Sequence, residues 1–458
     1  MKQFKSKRLW SLLLALSLML VACSGGGTTT TEEEKATTEA AQTEAAVTEA
    51  ATEEEKTEEA ATPAGGDRVQ IQFWYAWTDT IAEANEEMAK MFNESQDKYE
   101  VIAEHQGSYK DVQSKLQAAM AANNAPGVAV IEPQNIQMLQ KAGMIADISA
   151  GGIDQESFFP RLLENSIVDG KLYGIPYMRS SPILMINATM LEEAGLDPTG
   201  PKTWEDVIEI GKKFQEQSKP ALTMSVVNQW YFESYLNQSG ASIFNEDETD
   251  VNFNNEAGKK VLEYWRELQS NGYCNFLTGT DAGNLSKADF AAGATPMLVS
   301  TIADISYFLG VAEENGFELA TAAMPIPEGG TQAVPTGGAN LVVVANKSEE
   351  ETQAAIDFLK FASQPENVAY VVEKTGYAPT TKAAVETEAL QKLFAEKAQY
   401  EVSLSQLDFI QKRPNTEKSP EVLTAVTDML TEFVIDPNAD IDTLLSTYAE
   451  KCQQIINN

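Results

Sequence analysis

The chain has 458 residues, with 68 acidic side chains against 33 Lys and Arg and a formal net charge of −35. That length accommodates two or three domains with full cores. That charge gives no general attraction to nucleic acid or to an anionic membrane surface. Three cysteines cannot build a disulfide framework, and the single histidine, His105, removes zinc sites of several His ligands and forces any Ser-His-Asp triad through one residue.

In chain order, Lys2, Lys5, Lys7 and Arg8 precede an apolar stretch, Leu9 to Ala22, too short to span a bilayer comfortably. It ends in Leu20-Val21-Ala22-Cys23, which is similar to a bacterial lipobox. The expectation is a lipoprotein signal peptide over residues 1–22 and a lipid on Cys23, so that acyl chains alone make the membrane contact. A transmembrane anchor is the alternative. Residues 24–66 are mostly Thr, Glu and Ala, with 11 acids against Lys35 and Lys56. Such a segment buries too little apolar surface to offset its ordering entropy and reads, with Cys23, as a disordered tether over 23–66.

Folded sequence begins near Asp67. Arg68 to Trp77 is strand-like, Ile81 to Phe92 has a helical apolar face, Tyr99 to Glu104 is a second strand, Tyr109 to Ala122 a helix and Gly127 to Ile131 a short apolar strand. This alternation implies a parallel sheet covered on both faces, with ligands beyond the carboxyl ends of its strands, in loops such as 75–79, 107–109 and 132–135. A second αβ region follows. Pro182 to Asn187 reads as a strand, Thr203 and Asp206 as a capping box, Leu341 to Ala345 as a buried strand, and Ser348 with Glu351 as a second cap. The chain has no P-loop and no Gly-x-Gly-x-x-Gly after a strand, which argues against nucleotide chemistry. No metal or cofactor is implied: the acidic run 245–250 lacks EF-hand spacing and reads as a solvated loop.

Several short motifs recur in a familiar order: Phe73-Trp74-Tyr75, Gly107-Ser108-Tyr109, Ala125-Pro126-Gly127-Val128, Tyr173-Gly174-Ile175-Pro176-Tyr177, Lys202-Thr203-Trp204-Glu205-Asp206, Gly337-Gly338-Ala339-Asn340 and Lys374-Thr375-Gly376-Tyr377-Ala378-Pro379. In this order they resemble the extracellular solute-binding proteins of carbohydrate-type ABC importers, over essentially all of 67–458, and among these the glycerol-3-phosphate-binding group. The resemblance implies an α/β, two-lobed periplasmic-binding-protein-like fold of type II with a ligand cleft between the lobes. Chain order then assigns 67–178 with 325–375 to lobe 1 and 179–324 with 376–458 to lobe 2. It also implies a receptor on the extracellular face of the membrane, monomeric and not an enzyme. Such a receptor would hand a carbohydrate to permease subunits.

The resemblance assigns the ligand site residue by residue. Tyr109 matches a Tyr after a Gly-x turn, and Glu132 a carboxylate past the third strand. Ser180 and Ser181 match hydroxyls at the first crossover, Ser300 and Thr301 small hydroxyl residues beside Met297, and Trp230 an aromatic platform. Gly338 would let a backbone N–H approach the ligand, Tyr377 follows a Thr-Gly pair, and Trp77 lies near the cleft. Trp74, Trp204 and Trp265 read as packing, and His105 as a strand-end residue. Where the glycerol-3-phosphate receptor holds phosphate with an Arg, alignment places Leu423. A phosphate would lose its bidentate anchor there, although Arg179, Lys412 and Arg413 are near in sequence. A neutral sugar is therefore the favoured ligand, with glycerol 3-phosphate or a glycerophosphodiester as the alternative. A secreted glycoside hydrolase is a more distant reading, because carboxylate pairs are set by the fold and not by spacing. Whether Cys274 and Cys452 pair is not decided by the sequence.

Overall fold

The computed structural model describes residues 68–227 and 229–458. The expected signal peptide over 1–22, Cys23 and the Thr/Glu/Ala segment lie outside the described residues. The first region alternates as the sequence reads: β1 (Val69–Tyr75), α1 (Asp79–Ser95), β2 (Tyr99–His105), α2 (Tyr109–Ala121) and β3 (Val128–Ile131). β1 lies parallel to both β2 and β3, the arrangement that helical crossovers impose. After β4 (Ile175–Ser180) the chain leaves this sheet for β5 (Pro182–Asn187).

The second region adds α3 (Trp204–Gln215), β6 (Leu222–Ser225), α4 (Trp230–Gln238), β7 (Cys274–Leu277), β8 (Met297–Thr301) and β9 (Leu319–Ala323). The chain then returns through β10 (Val334–Pro335) and β11 (Gly337–Val343), followed by α5 (Glu349–Ala362). Two five-stranded sheets result, in the orders β2-β1-β3-β11-β4 and β9-β5-β8-β6-β7. Neither is wholly parallel. β11 runs antiparallel to β3 and β4, and β5 antiparallel to β8 and β9. The expected parallel arrangement holds for β1–β3, and β6, β7 and β8 are parallel to one another as well; the strands that cross between the regions enter each sheet from the opposite direction.

Side-chain alternation explains the two-sided burial of the second sheet. Leu184 and Ile186 of β5 face a core with Trp204, Leu222 and Trp265, while Ile183 and Met185 face one with Phe290, Leu298 and Phe308. The first sheet packs Phe73, Val128, Val342 and Phe358 into its own core. Both expected capping boxes form, Thr203 with Asp206 and Ser348 with Glu351. Trp74 is buried with its Nε1 donating to Glu104 at 3.0 Å, and Trp204 stacks on Tyr264 at 4.3 Å. His105 closes β2. Cys274 and Cys452 are both buried and unpaired. Among the described residues no helix is long and apolar enough to cross a membrane.

Candidate functional site

The carboxyl ends of β1 to β3 open onto one group of side chains. Gly107 adopts φ +100°, and a Cβ there would sit 2.7 Å from Asp111 Oδ2. Only glycine leaves room for the Ser108–Asp111 capping box that starts α2 at Tyr109. Tyr109 therefore begins a helix and also faces inward: its ring meets Trp77 edge-on at 5.3 Å, and Trp77 meets Tyr377 at 6.2 Å. The Tyr109 hydroxyl is buried with no well-formed hydrogen bond among the described residues. Burial, then Tyr377 and the charge of Glu132, raise its pKa.

Glu132 follows β3 and receives a hydrogen bond from Gln134 Nε2 at 3.0 Å. It keeps some surface open, yet burial dominates and raises its carboxyl pKa, against the pull of Arg413 and of Gln134. Arg413 is in turn 3.0 Å from Glu233 Oε2, with the two side chains 5% and 4% exposed.

A second group forms where β4 meets β11. Arg179 is fully buried. Its Nε and Nη2 donate to Thr336 Oγ1 at 3.2 and 2.7 Å, and Nη1 to Asn340 Oδ1 at 2.6 Å. Burial lowers its pKa to about 9, with Tyr109 opposing that shift and Arg413 adding to it. Trp230 opens α4 and donates from Nε1 to the Thr336 carbonyl at 3.3 Å. A Cβ on Gly337 would lie 2.5 Å from the Trp230 ring and 2.7 Å from Ser180 Oγ, so the indole and the serine close on bare backbone. On the β8 side, Ser300 donates to Asp304 Oδ2 at 2.6 Å, and Lys287 holds Asp304 Oδ1 at 2.6 Å. The charge of Asp304 is felt by Tyr231 and Tyr377, whose phenols burial already raises.

The structure thus brings Trp77, Tyr109 and Tyr377 together and couples Glu132 to Tyr109. It sets Ser180 against Trp230 and links Ser300 through Asp304 to Tyr377. The Ser181 carbonyl accepts from Ile302 N at 3.1 Å while its Oγ is buried with no hydrogen bond among the described residues, and Thr301 Oγ1 caps the turn at Ala303. Gly338 has a conformational reason for being glycine. Its φ is +76°, and a Cβ would fall 1.8 Å from the Met178 carbonyl.

Sequence reasoning missed Glu233, Asp304, Lys287, Tyr231 and Thr336, and named Arg413 only as a cation near in sequence to a lost phosphate anchor. The one available signal was spacing: Glu233 follows Trp230 by three residues, one helical turn. Leu423 is buried in the apolar core of the second region. The surface depressions lined by Glu366, Thr387 and Lys392 and by Lys259, Arg266 and Asp440 share no residue with this site.

Aromatic faces, hydroxyls and paired charges thus come together within the folded region. The sequence profile described as "Bacterial extracellular solute-binding protein" matches residues 87–398, and the chain belongs to that family. It is 29% identical over 413 residues to the sn-glycerol-3-phosphate-binding periplasmic protein UgpB of Rhizobium meliloti, covering 83% of this chain and 92% of that one. It is 26% identical over 333 residues to the protein of that name in Escherichia coli strain K12, covering 69% and 75%. Among solved structures, the cyclic alpha-maltosyl-1,6-maltose binding protein of Arthrobacter globiformis superposes with a TM-score of 0.74 at 24% identity, covering 86% of this chain and 100% of that one. UgpB from Mycobacterium tuberculosis in complex with glycerophosphocholine gives 0.74 at 22%, covering 85% and 100%. The fold is that of the two-lobed periplasmic binding proteins. The relatives named here are binding proteins rather than enzymes.

Proposed function

We propose that the chain is the substrate-binding lipoprotein of an ABC importer. It is held outside the cell by a lipid on Cys23 and captures a neutral sugar or oligosaccharide for delivery to the permease. Lobe 1 spans 67–178 with 325–375, lobe 2 spans 179–324 with 376–458, and the ligand lies between them. The observation that carries the choice of ligand is charge pairing. Arg413 is matched by Glu233, and Lys287 by Asp304, so apart from the fully buried Arg179 the site offers oxygens and aromatic faces rather than surplus positive charge. Carboxylates accept from hydroxyls, and indole or phenol faces suit the C–H face of a sugar ring. The hydrolase reading has no support from the binding proteins to which the chain is related.

Glycerol 3-phosphate or a glycerophosphodiester is the second reading. It is favoured by the relatives of that name and by Arg179, whose cation is held by neutral oxygens alone.

A thermal-shift series with maltose, maltotriose, sn-glycerol 3-phosphate and glycerophosphocholine separates the two, because a ligand bound only by the folded state raises Tm. A shift with the saccharides that is insensitive to salt supports the first reading. A shift confined to the phosphate esters and falling as salt rises replaces it with the second. Cys23→Ala should abolish incorporation of labelled palmitate; persistent labelling would rule out the lipid anchor.

A further inference from the structure

Two guanidiniums reach this site, and both are already engaged. Arg179 is fully buried among Thr336 and Asn340. Arg413 is fixed by its backbone: its N–H donates to Asn165 Oδ1 at 3.1 Å, and its carbonyl accepts from Asn165 Nδ2 at 2.9 Å. Its side chain lies 3.0 Å from Glu233 Oε2, but out of line, so that neither Arg413 Nε nor Glu233 Oε2 completes a hydrogen bond. The terminal nitrogens of Arg413 make no hydrogen bond among the described residues. Its fork therefore still has the shape that a phosphate would take up in two parallel bonds. What it lacks is free charge, because Glu233 supplies the counterion.

We propose that Glu233 is a selectivity residue: it neutralises Arg413 inside the site and so withholds a free guanidinium from anionic ligands. The inference rests on the reading that this group of side chains is the ligand site. A phosphate ester seated on the terminal nitrogens of Arg413 would bring a second anion against a cation that the buried Glu233 carboxylate already neutralises, a costly like-charge approach. A polyhydroxylated neutral ligand requires no such approach. Glu233 and Trp230 share one turn of α4, so the helix that carries the indole also carries the charge that screens against phosphate. The charges facing Arg413 from other elements are Glu132 and Arg179, which oppose each other.

Isothermal titration tests this with sn-glycerol 3-phosphate and inorganic phosphate as probes, on the wild type, Glu233→Gln and the double variant Glu233→Met/Arg413→Met. Glu233→Gln should bind sn-glycerol 3-phosphate about tenfold or more tightly than the wild type, with affinity that falls as salt rises. The double variant replaces the buried pair by apolar chains, a change that folded proteins often tolerate, and should bind the probe no better than the wild type. Equal probe affinity in folded Glu233→Gln and wild type overturns the proposal. If Glu233→Gln does not fold, tight wild-type binding that vanishes in the double variant overturns it instead, since Arg413 would then hold phosphate despite Glu233. A parallel titration with maltotriose keeps the claims separate: failure of the wild type to bind any saccharide removes the carbohydrate reading, while the ratio of phosphate affinities still judges Glu233.

Discussion

Arg179 and Arg413 influence one another electrostatically, yet their surroundings are opposite in kind. Arg179 gives three hydrogen bonds to two neutral side-chain oxygens and is sealed where β4 meets β11. Arg413 faces a carboxylate at 3.0 Å and makes no such bonds. The first is frame: its donors satisfy buried oxygens that would otherwise be orphaned. The second is a charge whose availability depends on one neighbour. Changes near Arg179 should therefore appear as lost stability without ligand, and changes near Arg413 and Glu132 as altered binding.

The largest effect belongs to the frame. Gly338→Ala would force a Cβ into the Met178 carbonyl at a left-handed φ of +76°, and should cost about 3 kcal/mol or more of unfolding free energy in urea titration. A wild-type midpoint would break the comparison at once. Arg179→Met strands Thr336 Oγ1 and Asn340 Oδ1, each costing about 1–3 kcal/mol when left without a donor. The double variant at Glu233 and Arg413 should instead change apo stability by about 1 kcal/mol or less. If the two behave alike in denaturant, the distinction between frame and conditional charge fails.

On the ligand side, Trp230→Ala and Glu132→Ala should each weaken saccharide binding by roughly tenfold, about 1.4 kcal/mol, read by quenching of tryptophan fluorescence. Unchanged affinity in both would move the site elsewhere. The smallest effect concerns pH. Burial holds the Glu132 carboxyl above its ordinary value of 4.5, so the folded state binds this proton more readily than the unfolded state. Stability consequently falls as pH rises from about 4.5 through the raised value. Glu132→Gln removes that penalty, and its Tm advantage over the wild type should grow between about pH 4 and pH 8. A margin independent of pH would mean that Glu132 is not desolvated.

Local pattern made much of the fold legible. β5 occupies 182–187 as its apolar run demands, and both capping boxes announced their helices. The lie of β11 was not legible, since nothing in the run Leu341 to Ala345 says that it enters antiparallel between β3 and β4. Within the candidate site, Tyr109, Glu132 and Trp230 could be named only through the chain's resemblance to solute-binding proteins, because their roles depend on what the fold brings beside them. Asp304 and Glu233 could not. Each gains its meaning from a partner distant in sequence or newly desolvated, and pairing across 180 residues, as between Glu233 and Arg413, leaves no periodic trace.

The insertion of β11 also constrains the order of assembly. β11 pairs on one edge with β3 and on the other with β4, so it is the strand that joins these two. A nascent chain ending anywhere between 181 and 336 has made β1 to β4 but not the strand that holds β4 against the rest. The first sheet must therefore wait for a segment more than a hundred residues downstream, a non-local closure that slows folding. Fragments cut in that window should leave β4, with Arg179 on it, without its sheet neighbour.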